Sequence, residues 1–218
     1  MSLVFPPLYA IIDAALLKTS ALSLAEMMAE SGVELLQYRD KRASSRELFE
    51  ASQSISERLS RLPRAGVYEP RFIVNDRADI ARLVKAQGVH VGQEDLGVEE
   101  ARGIVGRAAW VGVSTHSLAQ LDAADKTSAD YIAFGPIFAT TSKENPDPVV
   151  GLDLLKEARR HTRKPIVAIG GITLERAAET LRAGADSLAV ARDLIVCEHP
   201  AARARQFLQE AARAREKD

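Results

Sequence analysis

Two rhythms of apolar and polar positions alternate along this chain, and the alternation repeats eight times. Short runs that are apolar at nearly every position are too brief for helices and read as buried strands: Leu8 to Ile12, Val33 to Tyr38, Phe72 to Val74, Val89 to Val91, Ala109 to Val113, Asp130 to Phe134, Pro165 to Ile169 and Ser187 to Val190. Between them lie longer stretches with apolar residues three and four apart. These predict helices over Ala21 to Ser31, Ser45 to Leu62, Ala78 to Ala86, Val98 to Val105, Leu118 to Lys126, Leu152 to His161, Leu174 to Ala183 and Ala201 to Arg213. Gly32, Gly106 and Gly184 end helices, and Pro63 stops the second. Strands separated by helices pair in parallel, because a parallel partner needs a crossover rather than a hairpin. Eight such units without an internal linker predict one α/β domain over 1–218, a (β/α)₈ TIM barrel. The alternative is a doubly wound open sheet, but no G-x-G-x-x-G follows the first strand.

In such a barrel the chemistry sits at the C-terminal strand ends. Those ends read Gln37-Tyr38-Arg39-Asp40-Lys41, Asn75-Asp76, Gln93-Glu94-Asp95, Ser114-Thr115-His116, Gly170-Gly171 and Arg192-Asp193. The sixth strand ends at Gly135-Pro136 and opens into a long segment with no helical or strand period. It carries Thr140, Thr141, Ser142 and Lys143, a set of hydroxyls and an ammonium suited to an oxyanion or to solvent.

Period-two spacing in the second strand puts Val33, Leu35, Gln37, Arg39 and Lys41 on one side. The first two would fill the barrel. The amide and two cations would rise at its mouth, where they suit a phosphate-rich anion. Asp76 and Asp95 follow neighbouring strands. Two carboxylates beside a diphosphate pocket suggest Mg²⁺, which commonly takes one or two carboxylates and completes its shell with substrate phosphate. Asp76 alone would also serve as a helix N-cap, and Glu94 competes with Asp95. Gly170-Gly171 lets backbone N–H groups approach a phosphate closely. His116 fits an acid or base, or equally a structural residue at a helix start. His90, His161 and His199 read as structural or surface, and Trp110 as core.

Composition narrows the partners. A formal net charge of −1 argues against nucleic acid as the main one. Cys197 is the single cysteine, which excludes an internal disulfide and a cysteine-cluster zinc site. No apolar run reaches the ~18 residues that span a bilayer, and MSLVFPPLYAII lacks the basic start of a signal peptide, so a cytoplasmic location is expected. The residues alone thus describe an Mg²⁺-dependent barrel enzyme with two anion sites, acting on small-molecule substrates, with self-association left open.

The chain resembles the thiamine phosphate synthase family from Leu8 to about Ile195. The resemblance rests on QYRDK (Gln37 to Lys41), IVNDRADIA (Ile73 to Ala81), GVHVGQEDL (Gly88 to Leu96), GVSTHS (Gly112 to Ser117), DYIAFGPIFATTSK (Asp130 to Lys143) and VAIGGI (Val167 to Ile172). It implies a transferase that joins a hydroxymethyl-pyrimidine diphosphate to a thiazole phosphate and releases diphosphate. By that resemblance Gln37, Arg39, Lys41 and Asn75 hold the pyrimidine diphosphate and Asp76 and Asp95 carry Mg²⁺. Ser114 and Lys143 bind the pyrimidine and its leaving diphosphate. Thr140 and Ser142 border the thiazole phosphate pocket, and Gly171 holds that phosphate by its backbone. The implied reaction is dissociative: diphosphate leaves, the aminopyrimidine stabilises the methylene cation, and the thiazole nitrogen attacks. The family's serine after the eighth strand is replaced here by Ala191 and Arg192, and the Arg192 side chain is expected to fold over the phosphate. The related thiazole tautomerase branch would use His116 instead. A non-catalytic thiamine phosphate binder is the third alternative.

Overall fold

The computed structural model describes residues 5–62, 70–140 and 147–215. The strands are β1 (Leu8–Asp13), β2 (Leu35–Arg39), β3 (Arg71–Asn75), β4 (Gly88–Val91), β5 (Trp110–Thr115), β6 (Tyr131–Phe134), β7 (Ile166–Ile169) and β8 (Ser187–Val190). Each pairs in parallel with the next, and β8 returns to β1 with Leu8 opposite Leu188, so the sheet has no edge. The helices are α1 (Ala21–Glu30), α2 (Ser45–Leu59), α3 (Ala78–Leu83), α4 (Val98–Val105), α5 (Leu118–Asp125), α6 (Gly151–His161), α7 (Leu174–Arg182), α8 (Arg192–Ile195) and α9 (Pro200–Arg215). This is the expected (β/α)₈ barrel.

Local chemistry explains where the helices start. Ser44 opens α2 with a capping box: its Oγ accepts from Glu47 N, and the Glu47 carboxylate accepts from Ser44 N at 2.8 Å. Ser20 and Ser117 cap α1 and α5 with the side-chain oxygen alone, accepting from Ser23 N and Gln120 N. Several boundaries depart from the sequence expectation: β2 starts at Leu35 rather than Val33, and α3 ends at Leu83 rather than Ala86. A 3₁₀ turn, Ala14–Leu16, follows β1; α8 follows β8; and α2 ends at Leu59 rather than Leu62. The early end comes at Ser60, where the backbone makes its last helical bond to Ser56 before bending away.

The alternation of each strand sorts its side chains into two cores. Leu8, Ala10 and Ile12 of β1 face the helices, as do Leu36, Phe72, Val74, Val89, Val111 and Ile132. Tyr9, Ile11, Leu35, Ile73, Tyr131, Ala133, Val167 and Ala189 fill the barrel itself. Trp110 sits only partly buried at the lower end, stacked on Phe5 with centroids 5.2 Å apart and covered by the Arg71 guanidinium. It closes the floor rather than filling the core.

The interior fits closely around Gly112, which has no side chain. A Cβ on Gly112 would lie 2.0 Å from Cζ of Tyr131, whose ring is fully buried. Gly112→Ala must therefore push that ring out of its packed position. We expect a loss of about 1–3 kcal/mol in a denaturant melt, the usual cost of overpacking a core. An unchanged midpoint would mean the interior has slack that the packing does not suggest.

Candidate active site

The inward side of β2 carries Leu35, Gln37 and Arg39 toward the C-terminal mouth, as the period-two spacing implies. Arg39 is not free there. Its Nη1 lies 2.6 Å from Oδ2 of Asp13, which ends β1 directly opposite it in the register. The other oxygen of Asp13 accepts from Ala15 N at 3.1 Å and so fixes the 3₁₀ turn. Asp13 is buried, and it orients the guanidinium at the mouth. Asp40 accepts from the backbone N–H groups of Arg42 and Ala43 and shapes the turn.

The next two strand ends bring the carboxylates together. Asp76 is not an N-cap. It has a left-handed φ of 61°, its backbone N donates to His90 O at 2.7 Å, and α3 starts from Arg77 without a side-chain cap. Its carboxyl is pushed above the ordinary aspartate range by burial and by the Asp95 carboxylate within hydrogen-bonding reach, while the Lys41 ammonium pulls the other way. Asp95 is held in place by Gly92 N, 2.8 Å from its Oδ2. Glu94 is exposed. Among the described residues no cluster of three or more metal-ligating side chains forms, so this is a two-carboxylate pair with an adjacent cation.

Beneath the mouth runs a line of hydrogen bonds through the barrel. Gln37 Nε2 lies 2.7 Å from Tyr9 OH, Tyr9 OH lies 2.9 Å from Tyr131 OH, and Tyr131 OH lies 3.1 Å from His90 Nδ1. His90 Nε2 lies 2.9 Å from Ser114 Oγ. Of the two readings of His90, surface or structural, the structure excludes the first: it is buried inside the barrel and touches a predicted site residue.

On the far side, the start of the long β6 segment packs onto the β7 turn. Ile137 N and Phe138 N donate to Ile169 O and Gly170 O, at 2.8 and 3.0 Å. Gly171 has φ of 63°, and a Cβ there would lie 2.5 Å from Ala139 O, so glycine is required for the approach. The Gly171 carbonyl accepts from Arg176 Nη1 at 2.8 Å, which leaves its N–H as the group it can offer the pocket. Thr173 does not cap α7. Asp193 of α8 does, accepting from Leu174 N at 3.0 Å, and it also stands 3.7 Å from Arg203 of α9. Asp193 is thereby engaged away from Arg192.

These pieces line one cavity of about 600 Å³. Arg39, Ser114, His116, Gly171, Arg176, Ala191, Arg192 and Arg203 border it, with Ile11, Ile169 and Ala189 among the apolar lining. Thr140 also lines it. Gln37, Lys41, Asn75, Asp76 and Asp95 do not line it; they stand beside it at the ends of β2, β3 and β4 and the turn after β4. Ser142 and Lys143 lie outside the described residues. His116 Nδ1 lies 2.5 Å from Gly135 O, and its Nε2 lies 3.4 Å from Asp147.

The sequence profile of the thiamine monophosphate synthase family matches residues 8–194. The chain belongs to that family. Among its relatives, the thiamine-phosphate synthase of Koribacter versatilis is 49% identical over 94% of this chain and 95% of its own length. That of Chloroflexus aurantiacus is 43% identical, covering 92% of this chain and 90% of the relative. A solved thiamine phosphate pyrophosphorylase from Pyrococcus furiosus superposes with a TM-score of 0.84 at 30% identity, covering 95% and 96% of the two chains.

The structure adds residues that sequence reasoning did not single out: Asp13, Arg176 and Arg203 line the cavity, and His90 lies beneath it against Ser114. A signal existed for Asp13 and His90. Strand parity puts Asp13 inward with Tyr9 and Ile11, and His90 inward between Gly88 and Gly92. Arg176 and Arg203 belong to helices, and no spacing rule aims them at a cavity.

Proposed function

We propose that this chain joins a hydroxymethyl-pyrimidine diphosphate to a thiazole phosphate, giving thiamine phosphate and diphosphate. The observation that carries this reading is one cavity with cations from separate elements, Arg39 at the end of β2, and Arg176, Arg192 and Arg203 from the helices after β7 and β8, with Gly171 in the same lining. Two anionic substrates that must react with each other suit one chamber with two anion-binding regions.

In this reading Gln37, Arg39, Lys41 and Asn75 hold the pyrimidine diphosphate, Ser114 orients it, and Gly171 N–H holds the thiazole phosphate with Thr140 beside it. Roles for Ser142 and Lys143 rest on the family resemblance alone. The Asp76–Asp95 pair fits a divalent cation, because two carboxylates in mutual reach repel unless a proton or cation is shared. Mg²⁺ held there would supply positive charge to the diphosphate. The rest of the site's work is electrostatic and exclusive: Arg39, fixed by Asp13, faces the charge that grows on the leaving group, and the apolar lining keeps water from the cation. A cytoplasmic location suits a chain with one cysteine and no described helix long and apolar enough to cross a membrane.

The deciding experiment mixes both substrates with Mg²⁺ and looks for thiamine phosphate and diphosphate. Isomerisation of a thiazole carboxylate phosphate without diphosphate release would support the tautomerase alternative, for which His116 lines the cavity with Asp147 at hand. Product binding without turnover would leave a binder.

By the family resemblance, Ala191 and Arg192 stand in the turn where the family has a serine, and Arg192 is the charged one of the two. It lines the cavity and is exposed, and Asp193 is committed elsewhere. Arg192→Ala is expected to raise the KM for thiazole phosphate about tenfold, as loss of one charge-assisted hydrogen bond does, and to leave that for the pyrimidine diphosphate unchanged. An unchanged thiazole phosphate KM would place the guanidinium away from the phosphate.

A further inference from the structure

We propose that Tyr9, Tyr131 and His90 are positioning residues: they form a one-way hydrogen-bond chain from Gln37 that holds the Ser114 hydroxyl as a donor toward the substrate. The proposal rests on the functional reading above, since it assigns a task to residues beneath that site. The direction follows from counting protons. The Gln37 amide nitrogen has only hydrogens to give, so Tyr9 OH accepts at that 2.7 Å contact. Tyr9 is fully buried and its one proton has Tyr131 OH at 2.9 Å. Tyr131, having accepted, donates to His90 Nδ1.

A neutral imidazole whose Nδ1 accepts carries its proton on Nε2, and Nε2–H then donates to Ser114 Oγ. Burial raises both phenols well above the ordinary tyrosine range, so each keeps the proton the chain requires. A charged imidazolium would donate at both ends, Tyr131 would turn back on Tyr9, and the buried Tyr9 proton would have no acceptor along the chain, a costly arrangement in a closed barrel. Ser114 lines the cavity. Having accepted from below, it presents its own proton to an acceptor atom of the bound pyrimidine diphosphate.

The same contacts run backwards if the Gln37 amide is turned over. The proton then sits on Nδ1, and Ser114 points its hydrogen down into the barrel. The His90 tautomer therefore reads the direction. Histidine is labelled with ¹⁵N in the full chain, the four histidines are assigned with the help of His90→Gln, and long-range proton–nitrogen correlations are recorded. A neutral Nε2–H form at His90 is expected; Nδ1–H or imidazolium overturns the proposal.

Tyr131→Phe keeps the buried ring and removes one link. It should leave the far-ultraviolet circular dichroism spectrum unchanged and release His90 into a mixture of tautomers. It should also lower kcat/KM for the pyrimidine diphosphate about tenfold, with the KM for thiazole phosphate unmoved. His90→Gln retains an amide donor for Ser114 and should recover much of the activity that His90→Ala loses. An unchanged tautomer and kcat/KM in Tyr131→Phe, or equal losses toward both substrates, also overturns the proposal. A wild-type chain that makes no thiamine phosphate would instead sink the functional reading, and the tautomer would still decide the direction of the chain.

Discussion

Asp95→Asn is expected to lower turnover by about 10²–10³-fold at a fixed, limiting Mg²⁺ concentration while leaving the protein at least as stable as before. The two halves of this result have one cause. Asp76 and Asp95 lie in mutual reach at neighbouring strand ends, and burial together with that proximity pushes the Asp76 carboxyl upward. A fold has no use for such a pair: each carboxylate destabilises the ionised form of the other. Making Asp95 neutral relieves that repulsion and keeps a side-chain oxygen able to accept from Gly92 N. A divalent cation, if Asp76 and Asp95 hold one, would have the opposite interest and would lose half of its protein charge. Activity and stability should therefore move in different directions, which a purely structural role would not produce. Full activity of Asp95→Asn under limiting Mg²⁺ would remove Asp95 from the metal site and turn attention to Glu94. Loss of activity on chelation, restored by Mg²⁺, is the matching result for the wild-type chain.

Much of this arrangement was legible in the residues because barrel strands obey a simple rule. Once Leu35 and Gln37 are placed on one side, Arg39 has to reach the mouth, and the structure puts it there; Val33, expected on the same side, lies ahead of β2 and packs in the helix-side core instead. The Asp76–Asp95 pairing followed from adjacent strands in a parallel order. What stayed hidden were partners across the barrel. Asp13 looked like the end of a strand, and only the β1–β2 register sets it against Arg39. His90 was passed over because its neighbours Val89 and Val91 are plain core residues; its inward position matters only with Tyr131 and Ser114 on either side. The α8 turn has four residues, too few to show a period, and its Asp193 caps a different helix. Asp76 resembled an N-cap because a helix starts two residues later, yet its left-handed backbone turns the carboxylate to the neighbouring strand end instead.

The Asp13–Arg39 pair leads to the second large effect. Asp13→Asn should cost about 2–3 kcal/mol of stability and lower kcat/KM for the pyrimidine diphosphate by one to two orders of magnitude. Breaking a buried ion pair typically costs 3–5 kcal/mol, because the remaining charge stays desolvated without its partner. The lower figure applies here since the Arg39 side chain keeps 22% of its surface exposed and regains some water. Asparagine can still accept from Ala15 N, so the 3₁₀ turn survives and the loss reports on the ion pair rather than on the turn. The activity loss has a separate origin. In the proposed reaction Arg39 would serve the leaving diphosphate only if its planar fork were already aimed when charge develops, and Asp13 would do the aiming. The double variant Asp13→Asn, Arg39→Gln separates these effects. With both charges gone no unpaired ion is left, so stability should return to within about 1 kcal/mol of wild type, while activity stays low. Recovery of activity along with stability would show that Arg39 was a structural partner of Asp13 and never a ligand of the diphosphate. An Asp13→Asn chain with wild-type melting and wild-type kcat/KM would show that the contact between them carries neither role.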